Sequence, residues 1–138
     1  MSELDLLPEP IRVRSISDRE IVLPLDAALS AIDYLTEQNI AILGWEGWIL
    51  TPDGRMGHAY WPHRRADGSV TRGIWHDSYP PPVYNDRTGY VREVAVLARA
   101  HLVHAQRLWD EDSGWPGAIL HFCLTLATGD DALLIELG

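Results

Sequence analysis

The stretch Ile40-Ala41-Ile42-Leu43-Gly44-Trp45-Glu46-Gly47-Trp48-Ile49-Leu50, followed at once by Thr51-Pro52-Asp53-Gly54-Arg55, decides the fold. Both parities of residues 40–45 are apolar, as expected of a strand with neighbours on both sides. Gly44 and Gly47 point to a bulge or a close backbone approach. Pro52-Asp53-Gly54 closes the strand, because proline presets φ and glycine accepts a positive one. Alternation places Trp45 on one face and Glu46 with Trp48 on the other. Tryptophan is seldom left in water and an ionised glutamate is costly to bury. The strand is therefore either a core corner or a prepared contact surface.

Working outward, residues 56–61 return antiparallel, Ala66-Asp67-Gly68 turns the chain, and residues 69–76 form a third strand, giving a meander of two hairpins. Upstream, residues 24–39 predict a helix. Ala28, Leu29, Ile32 and Leu35 make its apolar stripe, Pro24 suits its first turn and Asn39 its end. Residues 11–14 alternate like a short strand, and Pro8 and Pro10 make residues 1–10 a loose lead-in. Downstream, Tyr79-Pro80-Pro81-Pro82-Val83-Tyr84 predicts an extended polyproline segment. Asn85 or Asp86 caps a second long helix running to about residue 110, with Val91, Val94, Ala95, Ala98, Leu102 and Ala105 as its buried stripe. Residues 118–128 and 133–137, joined by Gly129-Asp130-Asp131, complete a C-terminal hairpin. The expected architecture is one α+β domain over residues 1–138, an antiparallel sheet built from a meander and a C-terminal hairpin and packed with two main helices.

Of the 138 residues, 46% are hydrophobic and 22% charged, which fits a globular chain rather than a disordered one. The net charge of −9 argues against nucleic acid as a partner. It suits plain solubility or a basic protein partner met through electrostatic steering. All eleven basic residues are arginine. Cys123 is the only cysteine, so no intramolecular disulfide forms and a reducing compartment fits. The acidic opening Ser2-Glu3-Leu4-Asp5 lacks the order of a signal peptide, and the apolar run near residues 119–126 is too short for a bilayer. A cytoplasmic location without membrane contact is expected.

Several groupings invite chemistry, and each has a simpler explanation. His101 and His104 share a helix face and with His121 would make three metal ligands, but no HExxH, CxxC or HxH accompanies them. No metal and no cofactor are expected. Cys123 and His121 share a strand face as a nucleophile and base would, yet Phe122, Leu124 and Leu126 around them suit a buried structural cysteine. Asp53, Asp67, Asp130 and Asp131 sit at turns, where local side-chain bonding accounts for them. No Walker motif, GxGxxG or GxSxG occurs.

Ile42-Leu43-Gly44-Trp45-Glu46-Gly47-Trp48, Pro52-Asp53-Gly54-Arg55 and Gly57-His58, behind a helix rich in Ala, Leu and Ile, resemble the immunity protein 40 family over residues 25–58. These are small bacterial proteins that neutralise toxins of polymorphic toxin and contact-dependent competition systems. The resemblance implies a non-enzymatic, cytoplasmic inhibitor of one cognate protein toxin, and the acidic balance would suit a basic toxin such as a nuclease. Clustering on the meander makes Glu46 and Trp48, with Asp53, Asp67 and Asp77, the expected partner surface. Two other functions compete: a hydrolase pairing Glu46 with His58 or His76, and a small-molecule module with Trp48 and Trp61 lining an apolar slot. Exposed tryptophan would serve a homo-oligomer equally well.

Overall fold

The computed structural model describes residues 2–64, 70–79, 87–112 and 116–127. Within them lies an open antiparallel sheet with helices, an α+β arrangement as expected. Strands β1 (Ile21–Leu23), β7 (Ile119–Leu126) and β2 (Ile42–Leu50) lie side by side in that order. The other edge of β2 is shared by β3 (Met56–His58) and β6 (His76–Ser78). A separate two-stranded ribbon, β4 (Tyr60–Arg64) with β5 (Val70–Ile74), is inserted between them.

The expected meander is thus corrected. Residues 56–61 span two strands in two different sheets, and so do residues 70–76. The cause is Gly47. Its N–H donates to Trp75 O at 2.7 Å, its carbonyl accepts from Ala59 N at 2.8 Å, and Trp75 N donates to Ala59 O at 3.0 Å. At this point the edge of β2 passes from β3 to β6 while the chain leaves and returns. A Cβ on Gly47 would sit 3.2 Å from Ala59 Cβ, so any larger residue there would have to push Ala59 aside by a few tenths of an ångström. Gly44 is tighter still, since a Cβ there would lie 2.7 Å from Asp77 O, and the β2–β7 register shifts beside it between Ile42 and Gly44. The bulge and the close approach read from the sequence are both present.

Helix α2 (Leu25–Glu37) buries Ala27, Ala28, Ala31, Ile32 and Leu35. It stops where expected. Asn39 adopts φ 59°, and Asn39 N and Ile40 N close onto Thr36 O at 3.0 Å and Leu35 O at 2.9 Å. That is a Schellman end, which asparagine tolerates in the left-handed region. Helix α3 (Arg87–Asp112) buries every residue of its expected stripe, Val91, Val94, Ala95, Ala98, Leu102 and Ala105, and adds Tyr90 and Trp109. Both helices cover one face of the sheet. The core there centres on Trp45, which is 2% exposed and whose ring lies 5.4 Å from Phe122 and 6.2 Å from Trp75.

The N-terminal expectations fail. Residues 11–14 are not a strand: α1 (Glu9–Arg12) is helical, with Pro10 in its first turn, a position proline favours. The supposed loose lead-in holds a 3₁₀ turn, Glu3–Leu6, whose Asp5 accepts from Ser2 N at 3.1 Å. Leu4 and Leu7 are buried in the core, and Ile11 packs against it. Their three- and four-residue spacing is a helical period, which the prolines disguise. Residues 15 and 16 then close the outer edge of β1, as Ile16 N donates to Val22 O at 3.0 Å and Val22 N to Ser15 Oγ at 3.1 Å. The turn at residues 66–68, the polyproline segment beyond Tyr79, the helix cap at 85–86 and the second arm of the C-terminal hairpin lie outside the described residues. Strand β7, expected as one arm of that hairpin, sits between β1 and β2.

Candidate functional site

The register of β2 assembles the site. Directly opposed residues in antiparallel strands share a face. Glu46 lies opposite Cys123 on one side and His76 on the other. Trp48 lies between His121 and His58, and Leu50 between Ile119 and Met56. All nine therefore point away from α2 and α3. As expected, Glu46 and Trp48 share this outer face, while Trp45 is core.

Burial divides the face into two zones. Cys123 and His121, toward β1, are buried, at 8% and 4% exposed. Glu46, Trp48, Leu50 and His58 are half-buried, and His76 is exposed. Met56 and Ile119 are 50% and 52% exposed, a large share for apolar side chains. Trp48, Leu50, Met56 and Ile119 form an apolar ridge with Glu46, His58 and His76 along one flank. The Trp48 and His58 rings are 4.9 Å apart at 54°, and His58 Nδ1 is 3.5 Å from Glu46 Oε2. Trp48 Nε1 and His58 Nδ1 are both shielded from solvent without a hydrogen-bond partner among the described residues. Packing, rather than a directional bond, holds these rings.

Three aspartates were expected beside them. Asp53 is at the β2–β3 turn, where it bonds the Thr51 hydroxyl and accepts from Arg55 Nε at 2.8 Å. Those hydrogen bonds, Thr51's first, hold its carboxyl below the usual range. Asp53 thus spends its acceptors inside its own turn. Asp77 is corrected to the opposite face. It lies opposite Trp45, and its Oδ2 is 3.4 Å from His101 Nδ1 on α3. Asp67 lies outside the described residues. Leu50, Met56 and Ile119 were missed by sequence reasoning. Leu50 follows from the parity of Trp48, whereas Met56 and Ile119 need the strand register.

The histidines do not converge. His101 Nδ1 is 2.6 Å from the buried Tyr79 hydroxyl, His104 Nδ1 is 2.9 Å from Arg107, and His121 Nδ1 is 3.1 Å from Ile119 O of its own strand. Among the described residues no group of three candidate metal ligands forms. Burial lowers the pKa of His121, so a neutral ring is favoured in the folded chain. Trp61, the other wall of the imagined slot, has no described side chain.

Cys123 is built as a core residue. Burial first, then the carboxylates of Glu20, Glu46 and Glu3, push its thiol up to about 12. Its thiol is therefore expected to resist alkylation in the folded protein at about pH 8 and to react fully once denatured. The same shift has a sign in stability. The unfolded thiol ionises near 9.0 and the native one near 12, so its contribution is full below the first value and is lost as pH rises through the second. Cys123→Ala is expected to flatten that part of the alkaline decline, which urea unfolding of both proteins at about pH 8 and about pH 10.5 would measure.

No helix among the described residues is long and apolar enough to cross a membrane. Comparison with known protein families, curated proteins and solved structures gives no match to this chain.

Proposed function

We propose that this protein is an immunity-type inhibitor that neutralises a cognate bacterial toxin by direct contact, using the outer face of the sheet around Trp48. The observation that carries the proposal is the ridge of Trp48, Leu50, Met56 and Ile119 flanked by Glu46, His58 and His76. An aromatic anchor in an apolar strip, with ionisable groups beside it, is the composition of an interface hot spot. The resemblance of residues 25–58 to the immunity protein 40 family supplies the class of partner. A net charge of −9 supports a basic toxin, since it would speed encounter, while the aromatic anchor would slow release. The cytoplasm, where the toxin would act, is the proposed location.

The competing enzymatic reading has one observation in its favour, the carboxylate and imidazole of Glu46 and His58 at 3.5 Å. The cavity beside Glu46, lined by Leu43, Gly44, Trp45, His76, Asp77 and Thr125 among others, holds about 130 Å³. That is below the roughly 300–1,000 Å³ of sites that enclose a small molecule. The cavity that Glu46 lines is thus small for an enclosed substrate.

The test is a tagged pull-down from the native bacterium under conditions where the toxin is expressed. The proposal expects capture of one toxin polypeptide and protection of cells that produce it. Failure to bind a toxin shown to be present would overturn it, and a pH-dependent activity lost in Glu46→Gln would favour the enzyme instead.

A further inference from the structure

Helix α3 carries a second stripe that the fold does not use. Its inner side is the buried row from Tyr90 to Trp109. On the outer side, Glu93, Val96, Ala100, Val103 and Arg107 recur at three- and four-residue intervals and are all exposed. That is the spacing of a coiled-coil seam. Val96 is 69% exposed, Val103 48% and the adjoining Leu97 41%, three of the seven large hydrophobic residues exposed among those described. Between them lies a shallow apolar groove of about 580 Å³ lined by Val96, Arg99, Ala100, Val103, His104 and Arg107. A helix with apolar stripes on opposite sides has one stripe more than a monomer needs.

We propose that this face pairs with the same face of a second copy, antiparallel, about a two-fold axis at Ala100. The charges on the stripe choose the occupant and its direction. Glu93 and Arg107 each stand seven residues from Ala100, in opposite directions. A two-fold axis there sets each Glu93 against the other copy's Arg107 and forms two ion pairs. A parallel pair would instead oppose Glu93 to Glu93 and Arg107 to Arg107. Arg107 is available for this role, because its contact in the described residues is the His104 ring at 2.9 Å, whereas Arg99 is already bonded to Asp33 at 2.6 Å. Alanine at the axis lets the helices approach to about 8 Å. The same axis brings Val96 near Val103 and His104, and Leu97 onto Val103. Contact along four turns of one helix is smaller than the roughly 1,200 Å² of the smaller stable interfaces, so weak association is expected, with Kd on the order of 10–100 µM.

The pairing is independent of the toxin-binding proposal, since α3 lies on the other side of the sheet from Trp48. Sedimentation velocity over a concentration series tests it on the full chain. Glu93→Arg and Arg107→Glu each oppose like charges and are expected to weaken self-association at least about tenfold. Combining them reverses both signs, restores the pairs and is expected to recover most of the loss. These side chains are exposed, so thermal melts should stay close to that of the unaltered chain. A chain that remains monomeric up to about 1 mM would overturn the proposal. So would a dimer indifferent to the charge series, which would locate self-association on another face, or single variants that the double variant does not rescue.

Discussion

Replacing Trp45 by alanine is expected to lower the stability of this protein by about 3–5 kcal/mol. The indole is 2% exposed and fills the space between the sheet and its helices, edge-on to Phe122 and beside Trp75. Alanine leaves a void that Phe122 on β7 and Trp75, between β5 and β6, cannot close. Strand β2 is paired along both edges, and at Gly44 its backbone lies so close to Asp77 O that a Cβ would stand 2.7 Å from it. Small domains have about 5–15 kcal/mol in total, so the variant would be close to unfolded. Urea unfolding of the purified variant measures the loss. A decrease below about 1.5 kcal/mol would mean that the core closes over the gap and that Trp45 is not its centre.

Trp48, three residues on, is expected to behave in the opposite way. Trp48→Ala should weaken toxin binding by about 2–4 kcal/mol, roughly 30- to 1,000-fold, because truncating a central aromatic anchor removes most of what a hot spot contributes. Its effect on folding should be small. The ring is half-buried, its indole nitrogen has no hydrogen-bond partner among the described residues, and its close ring contact is the partly exposed His58. Calorimetric titration of the purified toxin domain, with a thermal melt of the variant alongside, separates the two effects. Glu46→Arg, on the flank of the ridge, should act mainly on the association rate and its salt dependence. Binding that survives Trp48→Ala unchanged would remove the anchor from the account.

The contrast between positions 45 and 48 was legible in the sequence because strand alternation is local and needs no knowledge of neighbours. So were both long helices, whose stripes repeat with a 3.6 period, and the Asn39 stop, which uses one residue's tolerance for positive φ. The sheet's order was not legible. Residues 56–61 and 69–76 each read as one continuous strand, and the breaks at Ala59 and Trp75 come from bonds to Gly47, remote along the chain. The break before β6 also resets the alternation, which is why Asp77 turns toward α3 when it was expected beside Glu46. Placing β7 between β1 and β2 rests likewise on pairings across the whole chain. At the site, Leu50 could be placed from Trp48 alone, but Met56 and Ile119 become its neighbours only through register. At the N-terminus the helical spacing of Leu4, Leu7 and Ile11 was present, and two prolines outweighed it. Proline forbids a helix interior yet suits a first turn, and the sequence alone does not say which applies.

The central claim is that the outer face around Trp48 meets the partner. A photo-crosslinking amino acid placed at Met56, on the ridge, and separately at Ile11, packed on the core near the N-terminus, tests it inside cells that produce the toxin. A covalent adduct with one toxin polypeptide is expected from position 56 and none from position 11. An adduct from position 11 alone, or none from position 56 in cells shown to contain the toxin, would contradict it.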